Sequence, residues 1–172
     1  MIASGRSSFW LFIVNGALSA RLPGTVTVKK HKNSHAREVT LQALYQMEVA
    51  DQPLHRLLEM GWLNEPMEAA AGEYCRALIQ GVVDHWEALN RVLENYSDKD
   101  VTQISTVNRC ILRMGFYELM RSDLGAEIVI DDLLNLTRKY EGREAVSFIN
   151  GVLDRFEHDR REVEGGGPAN LN

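Results

Sequence analysis

The chain has 172 residues, of which 45% are hydrophobic and 25% charged, a composition that is ordinary for one globular domain or two very small ones. A formal net charge of −5 argues against general coating of nucleic acid, but it leaves room for a local basic patch. The two cysteines, Cys75 and Cys110, belong to no CxxC or Cys/His cluster, which argues against a disulfide framework and a metal site. We therefore expect a cytoplasmic protein.

The first residues contain a short apolar run, FWLFIV at Phe9–Val14, that is similar to the core of a secretory signal. Asn15 and Gly16 interrupt the run, and it is far shorter than the roughly 20 apolar residues of a membrane span. We favour an upstream extension of a natural start near Val26 or Val28. Residues 1–33 are predicted to be a disordered extension that ends in a basic arm, and membrane attachment is not expected.

Helical periodicity accounts for the rest of the chain, without any period-2 strand pattern, so the fold class is predicted to be all-α. A domain is predicted over residues 34–158, followed by a disordered tail over 159–172. The predicted helices run from the N-cap Ser34 to Ala50, Pro53 to Met60, Pro66 to Tyr96, about Val107 to Met120, Ile128 to Tyr140, and Arg143 to His158.

The stretch VNRCILRMGFYELM at Val107–Met120 is apolar on almost every side of a helix. A helix without a broad polar face must be covered from several directions. It is therefore predicted to lie at the centre of the fold.

Candidate catalytic groups are few. Asp131 and Asp132 are adjacent and point in different directions on a helix, and His85 has no metal-ligating partner one turn away. The apolar neighbours of Cys110 predict a raised thiol pKa and an inert core residue. We predict no enzyme activity, no metal and no cofactor.

Lysine and histidine are concentrated just before the first helix, where Lys29, Lys30, Lys32 and Arg37 occur without an acidic residue among them. A solvated tail is the alternative to a binding site. Tyr45 lies about two turns after Arg37, outside the apolar sector of the helix. Because cations neutralise phosphates and aromatic rings stack on unpaired bases, this pattern favours single-stranded RNA, with Phe148 as a second ring or a core residue.

Four segments, taken in order and spacing, resemble the NusB family of transcription antitermination proteins. They are AREVTLQALYQMEV (residues 36–49), VNRCILRMGFYEL (107–119), IVIDDLLNLTRKYEG (128–142) and FINGVLDR (148–155). The resemblance implies an all-α, NusB-like fold of about six to seven helices in two small packed bundles around the central apolar helix, with a long middle element shared between them.

The same resemblance implies a function without catalysis. NusB proteins pair with the ribosomal protein NusE and bind the boxA element of ribosomal RNA leader transcripts. With other Nus factors they modify the elongating RNA polymerase, which then reads through terminators. Two alternatives stay open: an RNA-binding module associated with ribosomal RNA methylation, and a self-associating helical protein whose arm binds nothing. A homodimer is also open.

Mapped onto this sequence, the resemblance implies two sets of site residues. The RNA-binding residues are Lys29, Lys30, Lys32, Arg37, Tyr45, Gly142, Arg143, Glu144 and Phe148. The residues that face NusE are Tyr96, Thr102, Asn108 and Arg109. Lysine replaces arginine in the arm, and Lys binds phosphate without the bidentate geometry of Arg. Asn108 stands where relatives often carry an acidic residue.

Overall fold

The computed structural model describes residues 30–165 and the side chains of residues 34–163. Seven α-helices and one 3₁₀ turn form this range, and it contains no strand, so the predicted all-α class is confirmed. The helices are α1 (Lys30–Ala50), α2 (Leu54–Glu59), α3 (Ala69–Asp84), α4 (Trp86–Tyr96), α5 (Thr106–Arg121), α6 (Ala126–Tyr140) and α7 (Arg143–Gly165), with the 3₁₀ turn at Val101–Gln103. Within these residues no helix combines the length and the apolarity that a bilayer crossing requires.

Helix α5 lies at the centre, as predicted. Ser105 caps it, because its Oγ accepts a hydrogen bond from the backbone N–H of Asn108 at 3.2 Å. Helices α1, α3, α4, α6 and α7 all pack against it. Twelve of its sixteen residues are buried, which explains why its sequence has no broad polar face.

Two hydrophobic clusters hold the helices together, in agreement with the two small bundles expected. The larger one surrounds α5 and includes Leu112, Phe116, Leu133 and Phe156. The smaller one joins α1, α2 and α3. Its buried members are Ala36, Val39, Ala43, Leu57, Met60, Cys75 and Ile79.

The prediction of a single long helix between Pro66 and Tyr96 is wrong. The structure has two helices there, α3 and α4, which meet at His85. The His85 ring nitrogen Nδ1 lies 2.7 Å from the backbone oxygen of Gly81, close to the point where the helical hydrogen bonding changes. Gly81 is required because a Cβ at this position would lie 2.1 Å from the Tyr117 ring. The chain is thus divided at His85 into two helices that both pack against α5.

The first and last helices are longer than their predicted spans. Helix α1 begins at Lys30, so Ser34 lies inside it and does not cap it. The Ser34 hydroxyl donates instead to Asp132 on α6 at 2.7 Å. Helix α7 continues to Gly165, seven residues past the predicted end at His158.

Candidate nucleic-acid interface

Tyr45 lies on the outer side of α1, as its position outside the apolar sector predicts. Its side chain is 40% exposed, and Val49, one turn later, is 55% exposed. The two side chains lie one turn apart on the same side of the helix. The ring of Tyr45 is therefore available to a ligand, whereas four other aromatic side chains are buried in the core: Tyr96, Phe116, Tyr117 and Phe156.

Tyr140, at the end of α6, ties that part of the fold to α1. Its hydroxyl donates to Glu38 Oε1 at 2.6 Å and accepts from Gln42 Nε2 at 3.2 Å. Lys139 also pairs with Glu38. The Tyr140 ring is 40% exposed, and sequence analysis did not single it out. These contacts bring the chain that follows Tyr140 next to the exposed side of α1.

Gly142 forms the turn between α6 and α7. Its φ of 87° lies in the left-handed region that favours glycine, and its N–H donates to Thr137 O at 3.2 Å. Arg143 and Glu144 then begin α7 and are exposed. Phe148, one turn further, is half-buried against the main core cluster. The structure thus brings Gly142, Arg143, Glu144 and Phe148 together at one end of α7.

Arg37 does not lie on the surface, and its prediction as a phosphate ligand is wrong. Its side chain is completely buried and binds Glu118 on α5 and Asp132 on α6. Burial alone would lower the pKa of the guanidinium, but the charge of Glu118 and its hydrogen bonds raise it. Tyr74 also donates to Glu118, and burial raises the pKa of its hydroxyl. Arg37 therefore anchors α1 and offers no charge to RNA.

The basic arm can be placed only in part. Lys29 lies outside the described residues, and Lys30 and Lys32 lie in the first turn of α1 with side chains outside the described range. Fifteen residues separate Lys30 from Tyr45, which corresponds to about 22 Å along the helix axis. Any ligand that contacts both ends must therefore extend along α1.

Of the predicted NusE-facing residues, Tyr96 and Asn108 are buried. Tyr96 is 2% exposed, packs against Phe156, and donates to Asp159 Oδ2 at 2.9 Å. Asn108 donates from Nδ2 to Glu141 Oε2 at 3.2 Å. Direct contact of either side chain with a partner is not supported, because neighbouring helices cover both.

Thr102 and Arg109 remain accessible in this region. Thr102 is exposed in the 3₁₀ turn, where Asp100 caps its N–H at 2.8 Å. Arg109 is partly exposed and bound to Glu48, to Ile104 O at 2.6 Å and to Thr106 Oγ1 at 3.0 Å. Its guanidinium is thus fixed in direction before any partner arrives.

Lys99 was also missed by sequence analysis. Its ammonium lies 4.6 Å from the centroid of the Phe148 ring, a cation–π distance. Forty-nine residues separate the two in sequence, so no local pattern signals the contact. This pair joins the start of α7 to the linker before the 3₁₀ turn.

Groups that could support other chemistry are buried or have competing contacts. Burial raises the pKa of the Cys75 thiol to about 11 and that of the Cys110 thiol to about 12, and Cys110 lies in the core as predicted. His158, Asp159 and Glu162 each place a potential ligand atom within 4.8 Å of the others. His158 and Glu162 are exposed, and Asp159 accepts from Tyr96, so this group alone does not define a metal site.

Known proteins are similar to this chain in sequence and in fold. A sequence model described as the NusB family matches residues 34–158. Transcription antitermination protein NusB of Leptospira biflexa is 33% identical over 122 residues, which cover 70% of this chain and 87% of that protein. The protein of the same name from Anaeromyxobacter dehalogenans is 33% identical over 126 residues, with 72% and 89% covered.

Solved structures agree. The structure of T. maritima NusB superimposes with a TM-score of 0.66 at 30% identity and covers 73% of this chain and 90% of that one. Antitermination factors NusB and NusE in complex with dsRNA include a chain with the same fold, at a TM-score of 0.63 and 24% identity, covering 76% and 98%. Because the family match spans α1 to most of α7, and sequence and fold agree over that span, this chain belongs to the NusB family.

Proposed function

We propose that the protein is a transcription antitermination factor that binds boxA RNA of ribosomal RNA leader transcripts together with NusE. It then acts in the cytoplasm on the elongating RNA polymerase with other Nus factors, so that terminators are read through. Relatives at 33% identity carry the name transcription antitermination protein, and a structural relative was solved with NusE and dsRNA. The proposed role is binding and involves no catalytic step by this chain.

One observation carries the RNA-binding part of the proposal. The exposed ring of Tyr45 and the turn that leads to Phe148 lie on the side where α1 meets the end of α6. Glu38 and Gln42 bind Tyr140, and Gly142 follows two residues later. Accessible rings beside an exposed turn suit unpaired bases, which stack on aromatic side chains.

The phosphates need cations, and these are distributed along α1 and at the start of α7. Arg143 is exposed next to the turn, and the lysines of the arm precede or begin α1. Since the arm and Tyr45 are about 22 Å apart, an RNA strand that uses both runs along the helix. Tyr45 and Phe148 then bind bases at one end, and the arm holds phosphates at the other.

NusE would bind next to this RNA site. Thr102 and the partly exposed Arg109 supply the accessible contacts, whereas Tyr96 is buried and donates to Asp159. Asn108 lies at the start of α5, near Arg109 of the proposed NusE surface. Its side chain donates to Glu141, which directly precedes Gly142 in the turn on the RNA side. The two surfaces are therefore adjacent.

The test is a titration of a boxA RNA, with and without NusE, against a scrambled RNA of the same length. We expect the protein to prefer boxA, and the preference to persist in the presence of NusE. Equal affinity for both RNAs, with and without NusE, would contradict the proposal. A pull-down with NusE in the absence of RNA shows separately whether the protein binds this partner.

A further inference from the structure

Lys99 and Phe148 form a contact that the roles assigned above do not use. The Lys99 ammonium lies 4.6 Å from the centre of the Phe148 ring, and the Lys99 side chain is exposed. Phe148 is half-buried and packs against the main core cluster. The ammonium therefore lies on the solvent side of the ring, where a ligand would approach.

The acidic neighbours of Lys99 are engaged elsewhere. Asp98 accepts two hydrogen bonds from Arg155 at 3.1 Å each. Asp100 accepts from the N–H and the hydroxyl of Thr102 at 2.8 and 2.6 Å, and these bonds lower the pKa of its carboxyl. Among the described residues, the Lys99 ammonium has no ion pair or hydrogen bond, and its contact is the ring.

This arrangement combines the two kinds of group that bind a nucleotide, an aromatic ring and a cation. An aromatic face can stack on a base, and a cation at the edge of that base lies within reach of its phosphate. An exposed cation–π contact is weaker than base stacking on the same ring, so a base can displace the ammonium from the ring face. The flexible lysine side chain lets the charge move from the ring to the phosphate without a change in the backbone.

We propose that Lys99 binds a backbone phosphate of the RNA strand whose base stacks on Phe148. In the free protein its ammonium covers the ring, and in the complex it pairs with the phosphodiester beside the stacked base. This assignment rests on the proposed function and adds a residue from the linker before the 3₁₀ turn to the RNA site. Lys99 and Arg143 then supply positive charge to the Phe148 end of the site.

The experiment compares Lys99→Ala with Lys99→Arg and with Arg56→Ala as the matched control. Arg56 is an exposed cation on α2, in the bundle built around the smaller cluster, and its replacement removes the same unit charge. Binding of a boxA RNA is measured from 50 to 200 mM salt. Thermal unfolding of each variant shows whether the fold is retained.

Loss of one phosphate contact on a single strand lowers the salt slope by about 0.7, so the fall in affinity across this salt range becomes about 2.6-fold smaller. We expect this change for Lys99→Ala, together with weaker binding at low salt. Lys99→Arg and Arg56→Ala should keep the wild-type slope. A purely structural role for Lys99 would instead shift thermal unfolding and leave the slope unchanged.

The outcomes separate this assignment from the proposed function. If wild-type protein binds boxA RNA and Lys99→Ala has the same slope as Arg56→Ala, the assignment is wrong and the proposed function stands. Wild-type protein that binds no boxA RNA, alone or with NusE, would overturn both.

Discussion

Arg37 on α1 and Glu118 on α5 form a two-point ion pair inside the protein. The Arg37 Nε donates to Oε2 of Glu118 at 2.8 Å and Nη2 donates to Oε1 at 2.5 Å, and both side chains are fully buried. Asp132 on α6 completes the site by pairing with Nη1. One guanidinium thus joins α1 to the consecutive helices α5 and α6, which lie about 80 to 100 residues further along the chain.

Replacing Arg37 by Met should lower the free energy of unfolding by about 3–5 kcal/mol, because Glu118 would be left buried without its partner. Urea unfolding at pH 7 measures this change. Arg138→Met, at an exposed position on α6, is the control and should change stability by less than about 0.5 kcal/mol. Equal stability of the two variants would contradict the anchoring role.

Arg37→Gln separates anchoring from RNA binding if the Met variant does not fold. Glutamine removes the charge but keeps a side-chain N–H donor for Glu118, so we expect a smaller loss of stability than for Arg37→Met. The salt slope of RNA binding by the folded variant should equal that of the wild type, because the Arg37 side chain is buried. A slope reduced by about 0.7 would instead support a direct phosphate contact, since this variant lacks the charge.

The burial of Arg37 shows what helical periodicity can and cannot predict. The apolar sector of α1 correctly places Tyr45 outside the core, and the all-round apolarity of Val107–Met120 correctly places that helix at the centre. Arg37 is also outside the sector of α1, yet α3, α5 and α6 all pack around this helix. A sequence pattern shows which side of a helix is apolar, but it does not show how many neighbours cover the polar sides.

Contacts between distant segments are also not predictable from the sequence pattern. The hydroxyl of Tyr96 reaches Asp159 across 63 residues, which makes a predicted contact residue part of the core. The apolar pattern continues through His85, so it predicts neither the division into two helices there nor the close approach of Gly81 to the Tyr117 ring. Motif resemblance gave the order of the elements, whereas the exposure of each site residue required the packed structure.

Glu48 gives the protein a pH-dependent contribution to stability. Burial raises the pKa of its carboxyl, but hydrogen bonds and charges from Arg109 and Arg113 outweigh this and lower it. A lowered folded-state pKa stabilises the fold above the unfolded value of about 4.3, and the contribution is lost as pH falls through the folded value. Glu48→Gln should therefore be less stable than wild type at pH 7.

The stability difference between wild type and Glu48→Gln should shrink as the pH falls from 7 to 3. Urea unfolding at several pH values measures it, with Glu59→Gln, at an exposed position on α2, as the control. Parallel curves for wild type and Glu48→Gln would show that the carboxylate adds no pH-dependent stability.

Tyr45→Ala should weaken boxA binding by about 1–3 kcal/mol if a base stacks on the ring. Tyr45→Phe keeps the stacking surface and should retain most of the affinity. Because the side chain is 40% exposed, unfolding should change little in either variant. Val49→Ala, one turn further along α1, is the matched control. If Tyr45→Ala binds as tightly as Val49→Ala, the stacking assignment is wrong.

The separation of the arm from Tyr45 makes the effect of the arm depend on RNA length. Replacing Lys29, Lys30 and Lys32 by Ala should lower the salt slope by about 2 if all three bind phosphates, at about 0.7 each. This change requires an RNA that extends about 22 Å past the base at Tyr45.

A shorter boxA fragment that reaches only Tyr45 and Phe148 should bind the variant and the wild type with the same slope. The matched control replaces Arg56, Arg76 and Arg91 by Ala. These residues are exposed on α2, α3 and α4, outside the proposed RNA site, and their replacement removes the same charge. A reduction of the salt slope that is equal for both RNA lengths, or equal in the control variant, would mean that the arm acts through net charge and not through contacts along α1.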